Sequence, residues 1–198
     1  MSDRLRLFVA VDLPQDVRGA LAGWATRVAP DGVQPVRAEN LHLTLAFLGS
    51  RSQHEADTVA ALLPGLARPL DTLSTAGALW LSPRRPTVLT VALACPPQLQ
   101  ALQESVAAAL ADSIGYEPQQ RRFRPHVTVG RVARGARIRS SAEVPDAPAL
   151  TFCADALTLY RSHTRPGGSR YERLASVASA VPASSPTSRV RRHSVRAP

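Results

Sequence analysis

Two stretches of the chain decide its fold: Leu41-His42-Leu43-Thr44-Leu45-Ala46-Phe47-Leu48 and Pro125-His126-Val127-Thr128-Val129-Gly130-Arg131. Each places His-x-Thr inside an alternating apolar run, which is typical of a β-strand. Alternate residues of a strand share a face, so the histidine and the threonine of each motif point away from the core. In the first stretch the same alternation predicts that Leu43, Leu45 and Phe47 are buried.

The sequence before each motif is also repeated. Residues 9–15 resemble residues 91–98, and each segment has the pattern of a strand that runs into a helix beginning at or next to a proline. A duplicated strand–helix–strand unit usually packs about a pseudo-twofold axis. We therefore predict an α+β protein with two similar lobes and mostly antiparallel sheets flanked by helices.

Hydrophobic periodicity predicts the remaining elements. A first helix begins near Pro14, and two further helices are predicted over 53–66 and 97–114. Strands are predicted over 4–13, 40–49, 70–81, 87–94, 120–132, 151–162 and 170–177.

The basic residues of the chain are unusual in kind. All 24 are arginine, and the sequence contains no lysine. A phosphate-binding loop of the G-x-x-x-x-G-K type needs its lysine, so this class of nucleotide-binding protein is excluded. Enzymes that form a Schiff base on lysine, and ligases that carry a nucleotide on a lysine amine, are excluded for the same reason.

Length and charge predict the domain organisation. A chain of 198 residues with 44% hydrophobic residues suits one domain or two fused lobes. Residues 182–198 contain four arginines, no acid and few apolar residues, so we predict a folded domain over 1–181 and a disordered basic tail over 182–198. The net charge of +9 favours anionic partners such as nucleic acid. A basic tail that is merely solvated is the alternative interpretation.

Cys95 and Cys153, the two cysteines of the chain, cannot form a disulfide scaffold or a cysteine-based metal cluster. No apolar run approaches the length of a membrane span, and no secretory signal is visible. We therefore expect a cytoplasmic protein with no membrane partner, and we expect it to act as a monomer.

The paired motifs suit phosphate chemistry. Histidine titrates near neutral pH, so one of His42 and His126 could take a proton from water while the other gives a proton to a leaving oxygen. The hydroxyls of Thr44 and Thr128 could hold the phosphate oxygens between them. Arg131 could stabilise developing negative charge.

Two features of the flanking sequence qualify this picture. Simple alternation places Arg131 on the core face, so a bulge at Gly130 or the end of the strand is needed to aim it at the site. Further arginines precede and follow the second motif and predict either an RNA-binding rim or a solvated basic edge. They are Arg121, Arg122, Arg124, Arg134, Arg137 and Arg139. The aromatic residues Phe8 and Trp80 are predicted to pack in the core, and Tyr171 could stack on a base.

His42-Leu43-Thr44-Leu45 and His126-Val127-Thr128-Val129 resemble the paired H-x-T-x motifs of the two-histidine phosphoesterase superfamily. Residues 6–14, Arg-Leu-Phe-Val-Ala-Val-Asp-Leu-Pro, and the pair Gly130-Arg131 are similar to the RNA 2′,3′-cyclic phosphodiesterases of that superfamily, historically named 2′-5′ RNA ligases. The resemblance covers residues 4–177. It implies a bilobal fold with a central cleft and a reaction that uses no metal and no cofactor.

The resemblance also implies an activity and the role of each residue. It implies that the protein hydrolyses the terminal 2′,3′-cyclic phosphate of RNA to a 2′-phosphate. His42 would be the proton donor and His126 the proton acceptor, an assignment that the residues alone leave open. Thr44, Thr128 and Arg131 would bind the substrate. RNA ends, tRNA fragments among them, or small cyclic nucleotides would be the partners, and 2′-5′ ligation would be a secondary activity.

Two alternatives remain beside this hypothesis. The same chemistry could act on a small cyclic nucleotide, which an uncharged cleft rim would favour. The chain could also be a binding module for RNA or nucleotides without catalysis, although both histidines are present. A metal-dependent hydrolase is disfavoured, because the two histidines have no carboxylate or cysteine at ligand spacing.

Overall fold

The computed structural model describes residues 4–70, 72–82, 84–139, 143–165 and 168–179. The domain boundary predicted at residue 181 and the basic tail predicted for 182–198 lie outside these residues, so both stay predictions. Among the described residues, no helix is long and apolar enough to cross a membrane.

Strands and helices follow one another in an order that repeats. The first part of the chain forms β1 (Leu5–Asp12), α1 (Gln15–Val28), β2 (Val33–Pro35), a short 3-10 helix (Ala38–Asn40), β3 (His42–Arg51) and α2 (Gln53–Leu66). The second part forms β4 (Leu73–Leu81), β5 (Val88–Leu93), α3 (Pro97–Ile114), β6 (His126–Val132), β7 (Thr151–Phe152), β8 (Ala156–Arg165) and β9 (Gly168–Ala178).

The strands form one antiparallel sheet in the order β7-β4-β5-β6-β3-β1-β8-β9, and β2 also pairs with β6. The two histidine strands, β3 and β6, meet at its centre, where Leu43 lies opposite Val127. On one side of this junction β3 pairs with β1 and β1 with β8; on the other side β6 pairs with β5 and β5 with β4. The predicted α+β fold with two similar halves is therefore confirmed.

The strand registers show that the residue-by-residue alignment of the two halves differs from the one that sequence similarity suggests. Sequence similarity aligns Asp12 with Ala94, because the prolines that follow then coincide. In the structure Asp12 lies opposite His42, and Ala92 lies opposite His126. Asp12 and Ala92 are therefore the equivalent positions, and the second half has two more residues between this position and its helix.

The helices cover the core face of the sheet, with buried residues recurring one turn apart. In α1 these are Val17, Leu21 and Trp24. Ser52 begins α2 with a capping box, since its hydroxyl accepts from the Glu55 amide while the Glu55 carboxylate accepts from the Ser52 amide. The predicted bounds of α2 and α3 are confirmed. Because these helices occupy the core face, the face that carries the histidines is left for the site.

The strand predicted over 120–132 is wrong in its first part. β6 begins only at His126, and residues 120–125 form a loop. Pro125 supplies no amide hydrogen for a strand ladder, so regular pairing does not extend through this position. The strand predicted over 151–162 is split into β7 and β8, and β2 and the 3-10 helix were not predicted.

Phe47 does not take the buried position that alternation predicts. Its side chain is 42% exposed, whereas Leu48 is buried. The pairing of β3 with β1 skips Leu45 and Leu48, so β3 bulges twice. Each extra residue reverses the alternation of side chains beyond it. Phe47 consequently faces outward, with the guanidinium carbon of Arg6 4.7 Å from its ring centre.

Candidate active site

The first histidine is held in one orientation by hydrogen bonds at both ring nitrogens. His42 Nδ1 lies 2.8 Å from the carbonyl oxygen of Asn40, and Nε2 lies 3.1 Å from the hydroxyl oxygen of Thr44. A carbonyl can only accept, so Nδ1 carries the hydrogen, and in the neutral ring Nε2 accepts from Thr44. Asn40 is itself tied to the β8–β9 hairpin, since its side-chain amide donates to the Ser169 carbonyl at 3.0 Å.

The second histidine is anchored by the same kind of hydrogen bond. His126 Nδ1 lies 2.8 Å from the carbonyl oxygen of Arg124, again two residues earlier in the chain. Its Nδ1 therefore also carries the hydrogen, and Nε2 is the free base of the neutral ring. Thr128 follows at the same spacing as Thr44 and is half-buried.

The central junction brings the four motif side chains together. An antiparallel register centred on Leu43 and Val127 puts His42 toward Thr128 and Thr44 toward His126. Because the side chains alternate, these four residues share the face opposite the two apolar ones. We call this the histidine face of the sheet. The residues predicted from sequence as catalytic and substrate-binding, His42, Thr44, His126 and Thr128, are thus placed side by side.

Arg131 reaches the histidine face because β6 is bulged. In the pairing with β5, Thr90 lies opposite Thr128 and Leu89 opposite Gly130, so Val129 is the extra residue. Gly130 is buried, and a Cβ there would lie 2.9 Å from Val33 Cγ1, so any larger residue would force the surroundings to shift. The bulge reverses the alternation and turns the exposed Arg131 toward the site. The structure therefore contains the bulge that sequence analysis required.

The surroundings of His42 disfavour its charged form in the ligand-free protein. Burial is the main cause, and the positive charges of Arg131 and His126 add to it, so that the pKa of His42 falls from 6.5 to about 4. The Asn40 carbonyl and the Asp12 carboxylate act in the opposite direction. A phosphate bound between the two histidines would add negative charge beside His42 and raise its pKa again.

An aromatic wall made of Phe8, Tyr160 and Tyr171 stands on the His42 side. The ring of Phe8 stacks on the His42 imidazole at 4.7 Å between ring centres, and Tyr171 meets the imidazole edge-on at 5.2 Å. Tyr160 stacks on Phe8 at 5.2 Å. Phe8 is buried as predicted, and Trp80 is also buried. Tyr160 was missed because nothing in the local sequence of β8 distinguishes it from other core aromatics.

A buried carboxylate lies behind this wall. Asp12 is 7% exposed and accepts three hydrogen bonds: from the Tyr160 hydroxyl at 2.7 Å, from the Thr158 hydroxyl at 2.9 Å and from the Arg173 guanidinium at 2.9 Å. Burial and the bond to Asp12 raise the pKa of Tyr160 to about 12, so its hydroxyl keeps its proton. The sequence signal for this group is an acid inside an otherwise apolar strand.

Charge is distributed unequally between the two halves. In the His42 half, arginines form ion pairs with acids, as in Arg173 with Asp12 and Arg51 with Glu55. Between Glu117 and Glu143 the sequence has seven arginines and no acid. All seven arginines are exposed, and among the described residues no ion pair joins any of them to an acid. We call those that flank β6 the arginine rim: Arg121, Arg122, Arg124, Arg134, Arg137 and Arg139.

Two further histidines of the described residues, His54 and His163, lie apart from the site. His54 is exposed near the start of α2, and His163 pairs with Glu172 at 2.7 Å on the β8–β9 hairpin. In the described part of the chain, no three His, Cys, Asp or Glu side chains come together in a way that could hold a metal ion.

Comparisons with known proteins place the chain in a family. The chain is 33% identical over 180 residues to an RNA 2′,3′-cyclic phosphodiesterase of Escherichia coli, covering 88% of this chain and 96% of that protein. It is 31% identical to the RNA 2′,3′-cyclic phosphodiesterase of Thermus thermophilus, covering 84% and 86%. The crystal structure of E. coli LigT complexed with 3′-AMP superposes with a TM-score of 0.73 at 31% identity, covering 89% and 98%. Residues 13–166 match the sequence model of the 2′-5′ RNA ligase superfamily, and the chain belongs to this family.

Proposed function

We propose that this protein hydrolyses the 2′,3′-cyclic phosphate at the end of an RNA to a 2′-phosphate, with His42 as general acid and His126 as general base. The observation that carries the proposal is the matched pair of imidazoles. Each is anchored at Nδ1 by a backbone carbonyl, so each presents Nε2 to the same face across the β3–β6 junction. Relatives with this activity in their names cover most of the chain.

The proposed reaction needs one proton taken and one proton given. His126 Nε2 removes a proton from a water molecule, whose oxygen attacks the phosphorus. The bond from phosphorus to O3′ breaks, and the protonated Nε2 of His42 gives its proton to O3′. The 2′-phosphate remains. After this step His126 is protonated and His42 is neutral, so the equivalent of one proton must pass from His126 to His42 before the next turnover.

Thr44, Thr128 and Arg131 are the groups proposed to hold the phosphate. The two hydroxyls can donate to the non-bridging oxygens, and the guanidinium can offset the charge that develops on them. Thr44 also contacts Nε2 of His42 at 3.1 Å. A bound phosphate would accept from the Thr44 hydroxyl and leave Nε2 of His42 free to carry the proton that is given to O3′.

The different surroundings of the two histidines support the assignment of their roles. The aromatic wall stands beside His42, and a nucleoside bound against it would present its own O3′ to His42. The hydrogen bond that anchors the half-buried His126 runs to the exposed Arg124, and we assign the attacking water to this ring. The solved structure of E. coli LigT is a complex with 3′-AMP, which supports a nucleotide as ligand for this fold.

We favour an RNA end over a small cyclic nucleotide as the substrate, and tRNA fragments are within this class. The arginine rim supports this choice, because guanidinium groups without an acidic partner before and after β6 suit a phosphodiester backbone that extends beyond the terminal nucleotide. A 5′-hydroxyl replacing water in the same step would form a 2′-5′ linkage, so ligation needs no additional group. The cytoplasmic location and the monomeric state remain predictions from sequence.

The first experiment is hydrolysis of a short RNA ending in a 2′,3′-cyclic phosphate, with EDTA present and the product identified by phosphorus NMR. We expect a 2′-phosphate to form despite the chelator. A 3′-phosphate product would reverse the leaving group and contradict the mechanism. Binding of the RNA without turnover would indicate a binding module instead, and turnover of adenosine 2′,3′-cyclic phosphate alone would indicate a small-molecule substrate.

A further inference from the structure

The pseudo-twofold relation between the two halves fails at one position beside the histidines. The residue opposite His42 on the neighbouring strand is Asp12, and the residue opposite His126 is Ala92. The two H-x-T motifs and their Nδ1 anchors are alike, and the aromatic wall and this carboxylate both lie on the His42 side. Directly opposite the two histidines, the carboxylate of Asp12 is therefore what distinguishes His42 from His126.

We propose that Asp12 is a positioning residue that makes His42, rather than His126, the proton donor. Its buried carboxylate lies on the histidine face, on the strand next to His42. It accepts the hydrogen bond of Tyr160, the residue whose ring supports the stacking of Phe8 on the imidazole. The proposal rests on the proposed function, since it assumes that His42 acts as the acid.

The mechanical part of the role follows a continuous chain of contacts. The Tyr160 hydroxyl donates to Asp12 Oδ1 at 2.7 Å, the Tyr160 ring stacks on Phe8 at 5.2 Å, and Phe8 stacks on His42 at 4.7 Å. Thr158 and Arg173 hold the other carboxylate oxygen, Oδ2, each at 2.9 Å. The carboxylate is thus immobilised, and so are the rings that determine the plane of the imidazole.

The electrostatic part of the role follows from the charges that face His42. Arg131 and His126 oppose its protonation, and Asp12 is the acid that favours it. Arg173, 55% exposed at its side chain, partly neutralises Asp12. Asp155 lies next to Asp12, since its amide donates to the Asp12 carbonyl at 3.0 Å, and burial raises the pKa of the Asp155 carboxyl. The negative field at His42 therefore depends on the balance between Asp12 and Arg173.

This balance allows a test in which two variants move one quantity in opposite directions. Asp12→Asn removes the negative charge, and Arg173→Gln removes the positive charge that neutralises it. Ser176→Ala is the matched control, because it removes a hydrogen bond to Thr158 at 2.8 Å in the same cluster without changing a charge. The pKa of His42 is measured by NMR on the full chain with labelled histidine, alone and with adenosine 2′-monophosphate. The His42 signal is assigned by its loss in His42→Ala.

We expect Asp12→Asn to lower the His42 pKa by about 1 unit and kcat by about tenfold, with KM nearly unchanged. We expect Arg173→Gln to raise the His42 pKa, and Ser176→Ala to leave it unchanged. An unchanged His42 pKa in Asp12→Asn, or a fall in both charge variants, would overturn the proposal. If Asp12→Asn does not fold, Arg173→Gln decides alone. Failure of the wild-type protein to hydrolyse the cyclic phosphate would contradict the proposed function, whereas the NMR result would still test Asp12.

Discussion

Leu43 on β3 lies directly opposite Val127 on β6, and each of these residues directly follows a histidine. This pairing joins the two halves of the sheet at the strands that carry the H-x-T motifs. Because both apolar side chains point into the core, both histidines point out of the opposite face. The proximity of the two imidazoles, more than 80 positions apart in the chain, therefore follows from one strand pair.

The histidines should be necessary for turnover and dispensable for folding. We expect His42→Ala and His126→Ala each to lower kcat about 100- to 10,000-fold, since each removes one proton-transfer group. Hydrolysis of the cyclic-phosphate RNA measures the loss, and circular dichroism checks the fold. His54→Ala, at an exposed histidine of α2, is the control and should keep full activity. Near wild-type turnover in either site variant would disprove the two-histidine mechanism.

Gly130 should be required for the position of Arg131. In Gly130→Ala the new Cβ would meet Val33 Cγ1 at 2.9 Å, so the bulge must shift. We expect a loss of about 1–3 kcal/mol in unfolding free energy, measured with denaturant, and a rise in KM. Adding Val33→Ala removes the clashing atom and should restore much of the KM. If the double variant binds substrate no better than Gly130→Ala, the clash is not the cause.

Stability should depend on pH through His42. Its pKa is about 4 in the folded chain against an ordinary 6.5, so the unfolded chain binds more protons between these values. The free energy of unfolding should therefore fall as the pH drops through this window, by at most about 3 kcal/mol from this group. His42→Gln removes the group and should flatten the curve, whereas His54→Gln should not. Equal slopes in all three proteins would contradict the low pKa.

Phosphate binding should be coupled to proton uptake. A nucleotide phosphate is a dianion at pH 7.5 and favours the charged imidazole, so His42 should gain a proton when adenosine 2′-monophosphate binds. Calorimetry in two buffers of different ionisation enthalpy measures this uptake. We expect a positive fraction of a proton per nucleotide in the wild-type protein and a smaller one in His42→Gln. Proton release on binding would be the opposite of what the geometry predicts.

The arginine rim should affect long substrates more than short ones. We expect Arg121→Gln/Arg122→Gln to lower kcat/KM for a cyclic-phosphate oligonucleotide several-fold and to weaken its salt dependence, because each guanidinium displaces a counterion from RNA. Turnover of adenosine 2′,3′-cyclic phosphate should be unchanged. Arg27→Gln/Arg68→Gln removes the same charge from exposed positions on and after helices. An equal loss of kcat/KM for the oligonucleotide in both double variants would show that net charge, and not the arginine rim, determines RNA binding.

Local patterns were sufficient for the elements that alternation or helical periodicity governs. The bounds of α2 and α3 follow from apolar spacing, from the capping box at Ser52 and from Pro97. Alternation also predicts correctly that His42 and Thr44 share a face. It fails at Phe47 and Arg131, because each bulge shifts the alternation by one residue and depends on the register with the partner strand. Gly130 marks the bulge before Arg131, whereas the sequence around Phe47 shows no such signal.

The sequence by itself determined which chemical groups the site contains and that they occur in two copies, since strand alternation acts between residues two apart. Only the tertiary structure decided what makes the copies different. Asp12 bonds to Tyr160 and Arg173, which lie 148 and 161 residues further along the chain. The aromatic wall likewise combines residues of β1, β8 and β9. Such contacts depend on which strands pair and in which register, and that is a property of the whole sheet. Burial and charge then set the proton affinity of His42, which no motif encodes.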